Sequence, residues 1–337
     1  MPFVEDILRY RSLSIVGLEK NTGKTVCLNY VLRRLHEMGV RPAVTSVGVD
    51  GEQVDVVYGS AKPEVRLFEG SLFITSEQHY RQRRVVSMAL EVSRRRTSLG
   101  RLVTAQVVCG GTALISGPSS TPELRRQLER LSQRGAPITL VDGALGRLSL
   151  ASPAVSEAMI LATGAAVSAS IPQLVQRTRH VYNLICLEQA SEALCQRLLP
   201  IERGLWGVDD EGMPHDLHAP SALLLDHYEG DLLRHGATLF AAGMVNDRLL
   251  RLLARHSMAP SIRLVARDFT KIFATPPALK AYEDSGARLL VLQRSALAAI
   301  TLNPWAPRGY SLRSEEACQA LQEAIGVPVY DVMRQGR

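Results

Sequence analysis

The stretch from Ser12 to Glu37 constrains the fold of this chain more than any other. Ser12–Val16 is a short apolar run of strand length, and Val26–Glu37 carries Leu28, Val31, Leu32 and Leu35 at helical spacing. Between them lies Gly17-Leu18-Glu19-Lys20-Asn21-Thr22-Gly23-Lys24-Thr25. A strand, a glycine-bounded turn and a helix in this order predict an α/β architecture, with the turn at the carboxyl end of the strand. The closing Gly-Lys-Thr matches the end of a Walker A phosphate loop. Five residues separate Gly17 from Gly23, one more than in the regular pattern. The physical requirement is met where the loop enters the helix: Gly23 lets backbone N–H groups curl round an anion at the positive end of the helix dipole. The expected cradle is Gly17, Asn21, Thr22, Gly23, Lys24, Thr25 and Val26. Lys24 is expected to act in catalysis by reaching the β- and γ-phosphates, and the Thr25 hydroxyl to bind Mg²⁺. The plain alternative is a strand–turn–helix with a coincidental Gly-Lys-Thr; the apolar strand before the loop and the amphipathic helix after it favour a nucleotide.

Such a loop needs carboxylates for its metal, and two segments offer them. Ile138–Asp142 is an apolar run ending in Asp, preceded by a helical pattern over Pro122–Gln133. This is the form of a Walker B strand, whose terminal Asp142 would hold Mg²⁺ directly or through water, against the alternative of an ordinary capping Asp. The second is Ala43–Val47 running into Asp50-Gly51-Glu52. Ligands of doubly wound sheets sit at strand carboxyl ends, so Asp50 is expected to order metal or attacking water, with Glu52 beside it. A solvated loop is the competing reading there, and Asp55 reads as structural.

Composition narrows the rest. With 337 residues, 46% of them hydrophobic, the chain is long enough for two cores and too apolar for disorder. Ala158–Ile171 comes closest to a membrane span, and Thr163, Gly164, Ser168 and Ser170 interrupt it. No basic start followed by an apolar block marks a signal peptide. Five cysteines (Cys27, Cys109, Cys186, Cys195 and Cys318) show no CxxC spacing, which predicts a reducing, cytoplasmic setting. The formal charge of +6 comes from arginine, for only Lys20, Lys24, Lys62, Lys271 and Lys280 are lysines. Arg81, Arg83, Arg84, Arg94, Arg95, Arg96 and Arg101 make one basic stretch, read as the face of a helix over Tyr80–Arg96 that meets water or an acidic partner. Nucleic acid is disfavoured, because no aromatic residues interleave with these arginines.

Strands are predicted at Leu13–Val16, Ala43–Val47, Leu72–Thr75, Leu102–Val108, Ala113–Ser116 and Ile138–Val141, alternating with helices. The fold class is therefore α/β, a phosphate-loop domain with a largely parallel, doubly wound sheet, followed by a second α/β region. Ser156–Ala162 and Ile171–Glu188 read as helices, and Trp206–Pro220 as a loop between domains. The nucleotide-binding domain is expected over 1–205 and a partner-facing α/β domain over 221–337. Predicted strands of the latter are Thr238–Ala241, Arg263–Val265, Leu289–Leu292 and Ile300–Asn303, with a helix over Gly243–Arg255. Thr163-Gly164-Ala165 and Asn303-Pro304 follow apparent strands, where recognition of a base or partner, or a tight turn, would fall. His215-Asp216-Leu217-His218 lacks the further ligands that a zinc site needs.

The spacing of GLEKNTGKT resembles the phosphate-loop branch that includes dethiobiotin synthetase and the nitrogenase-iron-protein-like ATPases. The resemblance does not extend to the signature lysine of the latter, whose place holds Glu19. A closer likeness runs through GLEKNTGKT, TSVGVDGE, VDGALGRLSLASP, ILATGAAVS, ITLNPWAPRGYS and VPVYDV. Together these resemble the ATPase subunit of the reactivating factor for cobalamin-dependent lysine 5,6-aminomutase. The resemblance implies ATP and Mg²⁺ as cofactors, with a MutS-like subunit and the aminomutase as partners. An ATP-dependent small-molecule ligase or kinase of dethiobiotin-synthetase type, and a nucleotide-binding regulator without turnover, are the alternatives.

Overall fold

A computed structural model describes residues 3–48, 64–143, 152–153, 155–219, 232–307 and 309–334. The chain forms two compact units, one of Met1–Arg179 with Ala296–Arg337 and one of His180–Ser295.

The first unit opens with a helical turn, α1 (Phe3–Asp6), then β1 (Ser12–Gly17), α2 (Lys24–Glu37), β2 (Ala43–Ser46), β3 (Val65–Leu67) and β4 (Leu72–Ser76). There follow α3 (Glu77–Gln82), the long pair β5 (Arg84–Thr97) and β6 (Gly100–Ala113), α4 (Thr121–Gln133), β7 (Thr139–Asp142), β8 (Ala158–Gly164) and α5 (Ile171–Ile185), whose residues after Arg179 belong to the second unit. The described strands of this unit form one ten-stranded sheet, in which β1 lies between β7 and β8 and is parallel to both. Beyond β7 come β2 and β4, still parallel, and then β6, antiparallel to β4, β3 and β5. The chain travels to one side of β1 through β2 and β4 and to the other through β8, so strand order reverses at β1. That is where open α/β sheets bind ligands.

Burial explains why these segments are strands. Every residue of β1 and β8 is buried, as expected of central parallel strands covered on both faces. On one face Leu13 and Ile15 pack with Leu28, Val31, Leu32 and Leu35 of α2. On the other, Leu124 and Leu128 of α4 pack with Val141, and Leu131 with Ala43, Leu72 and Ile74.

The second unit contains α6 (Glu192–Leu198), β9 (Leu205–Val208), β10 (Pro214–Ala219), β11 (Thr238–Ala241), β12 (Val245–Asn246), α7 (Asp247–Ala254), β13 (Arg263–Ala266), β14 (Ile272–Phe273), α8 (Pro276–Asp284) and β15 (Arg288–Val291). Strands β11, β13 and β15 are parallel, β9 runs antiparallel to β11 and pairs with β10, and β12 pairs with β14. Leu198, Phe240, Val265 and Leu290 centre its core.

The chain then returns to the first sheet as β16 (Ala296–Asn303), α9 (Ser314–Ile325) and β17 (Val329–Asp331). Strand β16 pairs in parallel with β8 over seven registered positions, and β17 with β16. The last 42 residues therefore belong to the first unit, whereas the sequence reading grouped them with 221–295. Four expected elements are corrected. Tyr80–Arg96 is α3 followed by β5, not one helix; β5 is bulged and largely exposed, so its side chains show no clean strand alternation. Ser156–Ala162 leads into β8, a buried strand whose unbroken apolar run lacks periodicity. The described part of Trp206–Pro220, up to Ala219, is mainly the β9–β10 pair, whose register shifts between Asp216 and Ala219 and hides the pattern. Ala113–Ser116 keeps only Ala113 in a strand.

Candidate functional site

Gly17 ends β1, and Lys24 and Thr25 open α2, so the glycine-bounded loop sits where strand order reverses. Leu18 N–H donates to Ala162 O of β8 at 3.0 Å, which starts the loop from the carboxyl end of the central strands. Asn21 (φ 60°) and Gly23 (φ 88°) both take left-handed backbone. Asn tolerates that region better than most residues and glycine adopts it freely. Interspersed left-handed residues are the geometry from which backbone anion cradles are built.

Inside the loop, Thr22 is buried and its Oγ1 donates to Glu19 O at 3.0 Å. Lys24 Nζ donates to the same carbonyl at 3.2 Å. Burial lowers the Lys24 pKa, while the Asp142 and Glu19 carboxylates pull it back up. Asp142 ends β7 directly beside β1, in register with Ile15, and the next residue's N–H donates to Ile15 O at 3.1 Å. Its backbone carbonyl accepts from Ser46 Oγ at 3.1 Å, tying the ends of β7 and β2 together. Lys24 and Asp142 are thus brought within electrostatic reach of each other, at the carboxyl ends of adjoining strands. Thr25 and Val26 lie half-buried in the first turn of α2, and Val26 packs against the core. Asp50, the third expected catalytic and metal-binding residue, lies outside the described residues, as do Glu52 and Asp55.

The floor of the loop is held by residues distant in sequence. Asn303, at the end of β16, donates from Nδ2 to Asn21 O at 3.0 Å, and its Oδ1 accepts the Trp305 N–H at 3.1 Å. A Cβ on Gly23 would lie 2.8 Å from Asn303 Cβ, so residue 23 is held both by its backbone conformation and by close packing. Tyr310 Oη donates to Ala165 O at 2.8 Å, and Ala165 N–H to Asn303 O at 2.9 Å, which joins the turns after β8 and β16. Both polar ends of the Asn303 amide are therefore engaged within the protein. Cys27, one turn into α2, is fully buried, its thiol is pushed up to about 12 by burial, and it hydrogen-bonds Thr301 of β16; it is an inert packing residue.

Arg177 was not singled out in the sequence. It lies on α5, donates from Nη2 to Glu19 Oε1 at 2.7 Å and from Nη1 to Val167 O at 2.7 Å. A sequence separation of 158 leaves no local signal for the Arg177–Glu19 pair.

The basic stretch lies mainly on a strand pair, and two of its arginines meet carboxylates of the same unit: Arg101 with Glu77, and Arg95 with Glu123. In the second unit, His215 Nε2 lies 2.6 Å from Asp209 Oδ2, and its ring stacks on His235 at 4.3 Å. Among the described residues no group of three His, Cys, Asp or Glu is placed to hold a metal ion, and no helix is long and apolar enough to cross a membrane. No protein-family model, curated protein or solved structure matches this chain. What stands on the fold is an α/β protein with a large, mostly parallel mixed sheet.

Proposed function

We propose that this chain is a Mg²⁺-dependent nucleoside triphosphatase, with ATP the expected nucleotide, that uses hydrolysis to remodel a partner protein. One juxtaposition carries the reading: Lys24, in the first turn of a helix entered through left-handed Asn21 and Gly23, stands within electrostatic reach of Asp142 at the end of the adjoining strand. Loop amides and the Lys24 ammonium would take the phosphate charge, and Thr25 with Asp142 would hold the ion. Mg²⁺ keeps several waters and needs few protein ligands, so two oxygens beside the phosphates suffice. Phosphoryl transfer is catalysed mainly by positioning and charge stabilisation, which this set supplies. Asp50 would order the attacking water or the metal.

The sequence resemblance extends the proposal to a client. By it, the chain is the cytoplasmic ATPase subunit of a reactivase that works with a MutS-like subunit to exchange damaged cobalamin on a B12-dependent aminomutase. The test is phosphate release by the full chain with ATP and Mg²⁺, measured alone and with both partners, alongside recovery of cobalamin-inactivated aminomutase. Partner-stimulated release with recovery is expected. Recovery that is equal without this chain would overturn the client. Stoichiometric consumption of a small carboxylate or hydroxyl acceptor would replace remodelling with a ligase or kinase, and binding without turnover would leave a regulator.

A further inference from the structure

We propose that Arg177 is a positioning residue that makes the phosphate loop fit for a polyphosphate by cancelling the charge of Glu19. The inference rests on the nucleotide reading above and deepens it. Glu19 sits inside the loop, and its backbone carbonyl is held by both Thr22 Oγ1 and the Lys24 ammonium. Its main chain therefore has little freedom to retreat. A carboxylate on this residue works against the site twice. It attracts the Lys24 ammonium, which already lies 3.2 Å from the carbonyl of the same residue, and it repels any anion drawn to that ammonium. Arg177 answers both effects. One guanidinium nitrogen binds the Glu19 carboxylate at 2.7 Å, and the other is anchored on Val167 O, in the turn after β8. The bond to the Val167 carbonyl fixes the guanidinium against the Glu19 carboxylate. A lysine, with one point charge, could not span both acceptors in the same way.

An exposed ion pair of this kind contributes little to folding. Its consequence lies in binding, where several phosphate charges are added beside an otherwise bare carboxylate. Three variants separate the possibilities: Arg177→Gln, Glu19→Gln and the double variant, each titrated with Mg·ATP at low and moderate salt. Arg177→Gln is expected to weaken binding about tenfold at low salt and less as salt rises, because screening shortens the reach of the exposed carboxylate. Adding Glu19→Gln should restore most of the loss, with thermal midpoints alike across the set. An Arg177→Gln protein that binds as wild type, while Lys24→Ala does not bind, would overturn the proposal and leave the nucleotide site standing. A double variant as weak as Arg177→Gln alone would also overturn it, since the arginine would then act on phosphate or structure and not through Glu19. Absence of binding in the wild type would instead remove the reading on which the proposal rests.

Discussion

A methyl group at residue 17 would sit 2.3 Å from Thr22 Oγ1 and 2.8 Å from Lys24 Nζ. Gly17→Ala should therefore displace the two side chains that hold the Glu19 carbonyl, destabilise the protein by about 1–3 kcal/mol through overpacking, and weaken nucleotide binding. Urea titration and equilibrium binding check the two effects separately; wild-type values in both would contradict the close packing at Gly17. Lys24 gives a prediction with a definite sign. Its pKa is lowered by burial, so it loses its proton at a lower pH than an ordinary lysine does. Because only the ammonium attracts phosphate, nucleotide affinity should fall as pH rises through that lowered value. In the nucleotide-free protein the sign reverses. Burial penalises the charged form in the folded state, so the penalty is present below the folded pKa and relieved as pH rises through it. Lys24→Met should accordingly unfold at or above the wild-type temperature while failing to bind nucleotide. A Lys24→Met protein that unfolds well below wild type would show the lysine to be a structural prop.

At the scale of elements, the sequence was most informative where one face alone is buried. Helix α2 carries its core residues at helical spacing, and Pro122–Gln133 matches α4 closely. Leu35→Ala, on the buried face of α2, should cost about 2–5 kcal/mol. Met88, 54% exposed on β5, should accept Lys within about 0.5 kcal/mol, as surface positions do. Chemical denaturation of the two variants tests whether burial in the fold governs their cost. Periodicity failed at β8, buried on both faces, and at β5, largely exposed and bulged, because neither has a single wet face to alternate against a dry one. The site shows the same division. The Gly17–Thr25 loop was legible because strand, turn and helix are contiguous there, and the strand-end place of Asp142 because it closes the apolar run Ile138–Val141. Arg177 and the anchoring role of Asn303 were not, because only the sheet brings β8, α5 and β16 to that loop.

For the whole molecule, the decisive feature is the return of the chain to its first sheet. Residues 1–295 contain the entire glycine-bounded loop, yet β16 supplies the neighbour of β8 and the Asn303 amide beneath Asn21. A chain ending at residue 295 should lose cooperative unfolding of the first unit and with it nucleotide binding. Circular dichroism melting with a binding titration would show this; a truncated protein that melts sharply and binds as wild type would contradict the assigned role of β16. The second unit has its own sheet and core.

Binding of a nucleoside triphosphate with Mg²⁺ at the loop that opens α2 is the proposal on which the others depend. The most direct measurement is isothermal titration of the full chain with ATP, with and without Mg²⁺, beside Lys24→Ala and Asp142→Asn. Saturable binding by the wild type, loss of binding in Lys24→Ala, and binding without the Mg²⁺ enhancement in Asp142→Asn are expected. Wild-type binding that persists unchanged in Lys24→Ala, or no binding of any nucleoside triphosphate by the wild type, would contradict it.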